Sequence, residues 1–344
     1  MEMEIRGGGS MQEGRKVGKG IWYALIFSLV SFYLIFQVVV KISFRQSFQK
    51  INWFFIVLGF GVLFLMWLAK ALRMYSVGKG MGIPIPFGFY LQLYLATCFI
   101  SHVTPFNAGG TPLQIYLLHK KGIAVGRATA LTVVDLGLNT LMFFILIPVA
   151  VGVSFHSSHL AHSFQFQAML PGILIVLVGI AVIWILFYYT KLGPKLMRSP
   201  LIMRFKTYLR RKGWIQHFKH EWERFQEGWL SLFHHHPKRL WLAITATILY
   251  WFFYLLLAPL IFWAMGRMVS FFELIGLQLL FNFAQVFIPT PGGSGGSELL
   301  LVYIFKNILG VSRAGTFVLL WKSYTFFSTL IVGSFYFWKL TKRE

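Results

Sequence analysis

Hydrophobic residues along the chain fall into long runs that alternate with short polar and basic stretches. A helix needs about twenty apolar residues to cross the ~30 Å hydrocarbon core of a bilayer. Six runs meet that length. They predict transmembrane helices over residues 21–40, 53–72, 127–153, 169–189, 240–265 and 313–338.

Two further apolar stretches, residues 87–103 and 271–288, each end in a motif of proline and glycine. The first motif reads TPFNAGG and the second TPGGSGG. Proline removes a backbone donor and glycine adopts conformations that other residues avoid, so both motifs predict a break in a helix. A break inside the membrane must be buried in protein or line a wet cavity. We therefore expect two re-entrant hairpins, completed by the short apolar pieces 113–118 and 299–309.

The two motifs belong to an internal repeat with a spacing of 186 residues. Three predicted spans separate the copies, so the second copy is inverted, as in many transporters. The predicted fold is thus an all-α polytopic membrane protein with six full spans, two re-entrant hairpins and an inverted repeat over residues 87–140 and 273–326. The identical pairs are Gln92 and Gln278, Thr104 and Thr290, Pro105 and Pro291, Gly109 and Gly295, Gly110 and Gly296, Leu113 and Leu299, Lys120 and Lys306, Val125 and Val311, Arg127 and Arg313, and Ala128 and Ala314.

Composition agrees with a membrane protein, since 57% of the residues are hydrophobic and 12% are charged. The one cysteine, Cys98, excludes a disulfide framework. Most of the 32 Lys and Arg residues fall at the termini, in 73–86, in 119–127 and in 191–239, with Lys70 at the membrane edge. The positive-inside bias makes that side, with both termini, cytoplasmic. Topology accounts for the net charge of +22, so no nucleic-acid partner is expected.

The stretch 191–239 predicts a basic amphipathic segment on the cytoplasmic side. Its aromatic residues share one helical face, which favours a position in the membrane interface near anionic headgroups. A solvated connector fits the same pattern. Residues 1–10 precede a second methionine, Met11, and are interpreted as a vector-derived extension, which leaves residues 11–344 as a single transmembrane domain.

After each break a helix restarts. Thr111 and Ser297 are the expected N-caps, and the free amides of a helix N-terminus bind phosphate well. Two such ends, from opposite leaflets, are expected to point into one cavity. Alternatively, the glycines only let neighbouring helices approach closely.

Asp135 and Lys322 lie about 12–14 Å inside corresponding spans. Ionisable residues at that depth are costly and usually paired. We expect both to face the common cavity and to form an ion pair with each other, which could serve the site or only the fold. Additional polar lining is expected from Asn107, Gln114, Asn139, Asn282, Gln285 and Tyr324. The candidate substrate-binding residues are Asn107, Gly109, Gly110, Thr111, Asp135, Asn139, Gly293, Ser294, Gly295, Gly296, Ser297, Glu298 and Lys322.

The motif PTPGGSGGSE, followed by a span with a basic residue and preceded by a glycine motif and an acidic span, resembles the lysylphosphatidylglycerol synthase transmembrane region. This flippase-like family forms the membrane half of the multiple peptide resistance factor and also occurs as stand-alone proteins. The chain departs from the family pattern where arginines are expected, at Gln114, Leu136 and Ser297. Those departures put lysylated phosphatidylglycerol in doubt as the substrate.

The resemblance implies a lipid translocase of the bacterial inner membrane that moves a phospholipid or glycolipid headgroup through a polar cavity at the midplane. Two alternatives stay open: phosphatidylglycerol lysyltransferase activity, although the soluble domain that carries it in full-length relatives has no counterpart here, and transport of a small anionic solute. No cofactor or metal is expected. Membrane lipids are the expected partners, with a homodimer and a separate lipid-modifying enzyme left open.

Overall fold

The computed structural model describes residues 51–156 and 214–342, and this part of the chain is helical with no strand. Proline and glycine at the predicted breaks divide it into ten α-helices. They are α1 (Trp53–Gly80), α2 (Phe87–Val103), α3 (Gly110–Lys120), α4 (Val125–His156), α5 (Trp214–Leu230), α6 (Pro237–Ala264), α7 (Phe271–Gln285), α8 (Gly296–Leu309), α9 (Val311–Lys322) and α10 (Ser328–Lys342).

Four segments are long and apolar enough to cross a membrane: Trp53–Gly80, Val125–Pro148, Pro237–Ala264 and Val311–Lys342. The last comprises α9 and α10, joined by a π-helical turn at Ser323–Phe327. These segments correspond to four of the predicted spans. The predicted spans 21–40 and 169–189, the extension 1–10 and most of the basic segment lie outside the described residues.

The prediction was wrong about where the span that begins at Trp53 ends. The sequence placed its end at residue 72 and a loop after it, whereas α1 continues to Gly80. Arg73 therefore lies inside a helix, fully buried, and the Lys70 side chain, 13% exposed, lies one turn before it. The physical reason is a partner on another helix, Asp135, which neutralises charge that could not otherwise enter the bundle.

Both predicted breaks occur. A 3₁₀ turn at Pro105–Asn107 separates α2 from α3, and a second turn at Pro291–Gly293 separates α7 from α8. After each turn the next helix packs back against the one before it. Gly110 allows the first of these contacts, because a side chain there would collide with Ser101 on α2.

The order of elements recurs with the spacing found in the sequence. The first series is α1, α2, the first turn, α3 and α4; the second is α6, α7, the second turn, α8 and the α9–α10 helix. The two series interlock: α1 packs along α6, α10 packs against α2, and α4 packs against α7. The two turns contact each other.

Helix α5 packs against the first turn of α4. The amide of Gly126 donates to the Glu221 carboxylate, and a side chain at Gly126 would collide with the α5 backbone. At the end of α5, Ser231 donates to the carbonyl of Gly80, 2.9 Å away. This part of the predicted basic segment is therefore fixed to the ends of α1 and α4.

Candidate functional site

A buried ion cluster joins α1 to α4, and we call Lys70, Arg73 and Asp135 the Asp135 cluster. The Lys70 ammonium donates to both carboxylate oxygens of Asp135, at 2.9 and 2.7 Å. Arg73 Nε donates to the same carboxylate at 2.7 Å. Two cations thus share one carboxylate, and one positive charge in the cluster stays unbalanced.

Not every nitrogen atom of the Arg73 guanidinium has a strong hydrogen-bond partner. Its Nη1 donates to the side-chain oxygen of Asn139 at 3.4 Å, a weak contact. Its Nη2 is buried and has no hydrogen-bond partner in the described part of the chain. The lysine and the arginine lie three residues apart, so one helical face presents both to α4.

A second buried cluster joins α8 to α9, and we call Ser297, Glu298 and Lys322 the Lys322 cluster. Lys322 Nζ lies 2.9 Å from a Glu298 oxygen and donates to Ser297 Oγ at 2.7 Å. The other Glu298 oxygen accepts from the amide of Gly295 at 2.7 Å. One carboxylate therefore caps α8 and balances a lysine near the middle of the next span.

A cavity of about 230 Å³ lies beside the Lys322 cluster, between the C-terminal parts of α2 and α7. Lys322 lines it directly, and Gly292 of the second turn closes one end. Other polar groups come from four helices and from the π-helical turn between α9 and α10. They are Tyr94, Cys98, His102, Tyr250, Tyr254, Asn282, Gln285, Thr325 and Thr329.

Two tyrosines connect this cavity to the Asp135 cluster. Tyr94 and Tyr250 both line the cavity. The Lys70 ammonium lies 5.8 Å from the centre of the Tyr94 ring, and the Arg73 guanidinium lies 5.5 Å from that of Tyr250. A cation at this distance is attracted to the ring face. The cavity thus contacts one ion cluster directly and reaches the other through aromatic rings.

Of the thirteen candidate site residues, Lys322 alone is among the described residues that line this cavity. Asn107 is exposed in the first turn, and Asn139 contacts Arg73. Ser294 is buried at the end of the second turn, Asp135 lies on α4, and the other eight candidates lie in or beside the two breaks. The residues placed around the first break are Gly109, Gly110 and Thr111, and those around the second are Gly293, Gly295, Gly296, Ser297 and Glu298.

The expected ion pair between Asp135 and Lys322 is wrong. Each finds a nearer partner within its own half of the chain, Asp135 on α1 and Lys322 on α8. The expected N-caps are also wrong, because α3 begins at Gly110 and α8 at Gly296. At α8 the cap is the Glu298 side chain, which reaches back to the Gly295 amide and leaves Ser297 free to accept from Lys322.

Among the residues expected to supply polar lining, Asn282 and Gln285 do line the cavity. Gln114 instead donates to Thr132, and the Tyr324 hydroxyl donates to the Ile56 carbonyl. Sequence reasoning missed Lys70, Arg73, Tyr94 and Tyr250. The spacing of Lys70 and Arg73 on one helical face was the available signal for the first two.

Comparison with known proteins agrees with this architecture. A curated UPF0104 membrane protein of Archaeoglobus fulgidus is 24% identical over 288 residues, which is 83% of this chain and 86% of the relative. No solved structure matches the chain. The model of the family described as Lysylphosphatidylglycerol synthase TM region matches residues 21–333. The chain is a membrane protein and belongs to that family.

Proposed function

We propose that the protein is a lipid translocase that moves an anionic phospholipid or glycolipid headgroup across the bacterial inner membrane. The observation that carries the proposal is a polar cavity with a lysine in its wall, next to the second helix break. An ammonium at that depth is costly unless it serves a ligand or a partner.

Charge supports an anionic headgroup. The Asp135 cluster holds two cations and one carboxylate, and its unbalanced positive charge acts on the cavity through the Tyr94 and Tyr250 rings. A phosphodiester carries one negative charge and would balance it. Glu273, another buried carboxylate, lies at the start of α7, whereas the cavity contacts only the later part of that helix.

Size supports a headgroup rather than a whole lipid. A cavity of about 230 Å³ is smaller than the usual site for a drug-sized ligand, ~300–1,000 Å³. It has room for a headgroup or a few water molecules. In the proposed mechanism the headgroup enters this cavity, the acyl chains stay in the lipid, and the two halves of the chain move against each other.

The membrane arrangement belongs to the same proposal. We take α2–α3 and α7–α8 as re-entrant hairpins, with the second series of helices inverted relative to the first and both termini cytoplasmic. The recurrence of elements and the contact between the two turns support that arrangement. Broken helices that meet near the midplane are the usual way in which inverted repeats build a transport site.

The test is translocation of fluorescent lipids in liposomes that contain the purified protein. We expect Lys322→Gln to lower the translocation rate at least about tenfold, because one charge-assisted contact to the headgroup is lost. Lys306→Gln is the matched control, since it removes the same charge from the same half of the chain but outside the cavity. Equal rates in the two variants would contradict the proposal.

The charge of the lipid that is transported separates a lipid translocase from a solute transporter. Transport of anionic lipids in preference to zwitterionic ones is the expected result. Uptake of a soluble anionic headgroup, with no movement of labelled lipid, would replace the lipid translocase by a solute transporter that uses the same cavity.

A further inference from the structure

A second and larger cavity lies near the N-terminus of α4, far from the proline inside that helix. About 770 Å³ of space separates α5 from residues 82–84 and from the α3–α4 connection at 119–127, and we call it the α5 groove. None of its residues lines the cavity beside Lys322. Nothing in the proposed translocation pathway accounts for it.

Basic side chains from two separate parts of the chain converge on the α5 groove. Lys121 and Arg127 come from the α3–α4 connection and the start of α4, and Arg224 comes from α5. Two histidines, His119 and His220, lie in the same lining. Arginine and lysine from different elements are the usual means of holding a phosphate.

Part of this basic set has free binding capacity. Lys121 has no ion-pair partner within residues 51–156 and 214–342, and its ammonium lies 5.6 Å from the centre of the Phe89 ring. Arg127 Nε is buried without a hydrogen-bond partner in the same ranges. Its Nη2 contacts Glu227 at 3.2 Å, and the two side chains are 40% and 61% exposed. An exposed pair of this kind is weak, so an anion of higher charge density can displace the carboxylate.

The α4 amide nearest the groove does not form the site. Gly126 donates to the Glu221 carboxylate, so a ligand must be held by side chains. Glu221 also accepts from Arg224 at 3.1 Å, which fixes that arginine beside the groove. Glu227 and Glu221 therefore position the arginines, while Glu223, which also lines the groove, lies 3.9 Å from Lys219. Within the described residues Lys121 has no partner of opposite charge.

We propose that the α5 groove is a phosphate-binding site, separate from the cavity beside Lys322 and independent of the proposed translocation. The phosphate contacts Lys121, Arg127 and Arg224 and displaces Glu227 from Arg127. Its volume suits a ligand of the size of a lipid headgroup or a phosphorylated metabolite.

A lipid headgroup is one source of this phosphate. Stacked aromatic rings line another face of α5 and continue to Phe233, just after its end. The ring centres are 5.3 Å apart for Trp222 and Phe225 and 4.5 Å apart for Trp229 and Phe233. Both tryptophans are exposed, as is typical of helices at the membrane interface. A soluble phosphate monoester is the other source, and the experiment separates the two.

The experiment measures binding to the purified full chain by isothermal titration calorimetry. Glycerophosphoglycerol is also expected in the cavity beside Lys322, so binding to the groove is the part that remains in Lys322→Gln. Glycerophosphoglycerol represents a phospholipid headgroup, and glycerol 3-phosphate represents a soluble monoester. We expect saturable binding of at least one, weakened roughly tenfold by Lys121→Gln because a charge-assisted contact is lost. We expect Glu227→Gln to tighten binding, since it removes the competing carboxylate. Tighter binding of the diester assigns the site to lipid, and tighter binding of the monoester assigns it to a solute.

Arg313→Gln is the matched control. Arg313 is the repeat partner of Arg127, but it is exposed and does not line the groove. We expect it to leave binding of the two probes to the groove unchanged. Absence of saturable binding by either probe, or equal weakening in Lys121→Gln and Arg313→Gln, would overturn the proposal. Because this experiment measures binding, a negative result in the translocation assay would not count against the phosphate-binding site.

Discussion

The two breaks share a left-handed backbone at their two central residues and have different surroundings. Phe106 and Asn107 in the first turn have φ values of 54° and 55°, and Gly292 and Gly293 in the second have 58° and 68°. In the first turn the Phe106 side chain is 61% exposed, so the chain accepts an unfavourable conformation with ordinary residues. In the second turn both residues are buried and both are glycine. The same fold element is thus a surface turn in one half and a wall of the cavity in the other.

The two ion clusters also differ in whether they line the cavity. The Asp135 cluster holds two cations on one carboxylate and does not line the cavity. The Lys322 cluster has one cation and one carboxylate, and its lysine is in the cavity wall. The first half of the chain keeps its buried charges away from the cavity, and the second half presents one of them to it. The two clusters therefore have different roles. We expect the first cluster to control stability and the second to control ligand binding.

The largest expected effect comes from removing the carboxylate of the first cluster. Asp135→Asn leaves Lys70 and Arg73 facing each other without a counter-charge, which should cost about 3–5 kcal/mol of unfolding free energy. Thermal unfolding of the purified protein in detergent measures this loss. A variant as stable as the wild type would show that the cluster does not hold α1 to α4.

The two turns give a matched pair with a smaller effect. A β-carbon at Gly292 would lie 2.6 Å from the Phe326 ring and 2.8 Å from the His102 carbonyl, at a positive φ. Gly292→Ala should therefore cost about 1–3 kcal/mol. Phe106→Ala, at the equivalent place in the exposed turn, should change stability by no more than about 0.5 kcal/mol. Equal costs would mean that the two turns are equivalent in packing as well as in backbone.

The smallest effect is expected at the surface contact between α5 and α4. Glu227→Gln removes an exposed ion pair with Arg127 and should cost less than about 1 kcal/mol. The same unfolding assay measures it, with high salt as a control, because salt screens the wild-type pair and should erase the difference. A loss as large as that of Asp135→Asn would mean that this contact carries the attachment of α5.

The sequence predicted the helix breaks well because their signals are local. Proline and glycine act on the backbone where they stand, and the apolar stretch 87–103 was predicted with the bounds of α2. Repetition of Thr104–Pro105 at Thr290–Pro291 located the second turn in the same way. These signals require no knowledge of which helices touch.

Ion partners could not be predicted in the same way. Asp135 lies 65 residues from Lys70 in sequence, and its pairing depends on how α1 packs against α4. Arg73 was assigned to a loop because charge usually marks the end of a span, and only a buried carboxylate nearby makes its position inside a helix possible. The cap of α8 was misplaced for a related reason, since Glu298 serves as cap and counter-ion at once.

The central claim is that the cavity beside Lys322 takes an anionic headgroup, and Cys98 allows a direct measurement. It is the one cysteine of the chain, and it lines this cavity. The measurement is the rate at which an uncharged maleimide labels Cys98 with and without excess glycerophosphoglycerol. The account predicts slower labelling with the headgroup in the wild type and in Lys121→Gln, and no slowing in Lys322→Gln. Labelling that the headgroup leaves unchanged in the wild type, or slows equally in Lys322→Gln, would contradict it.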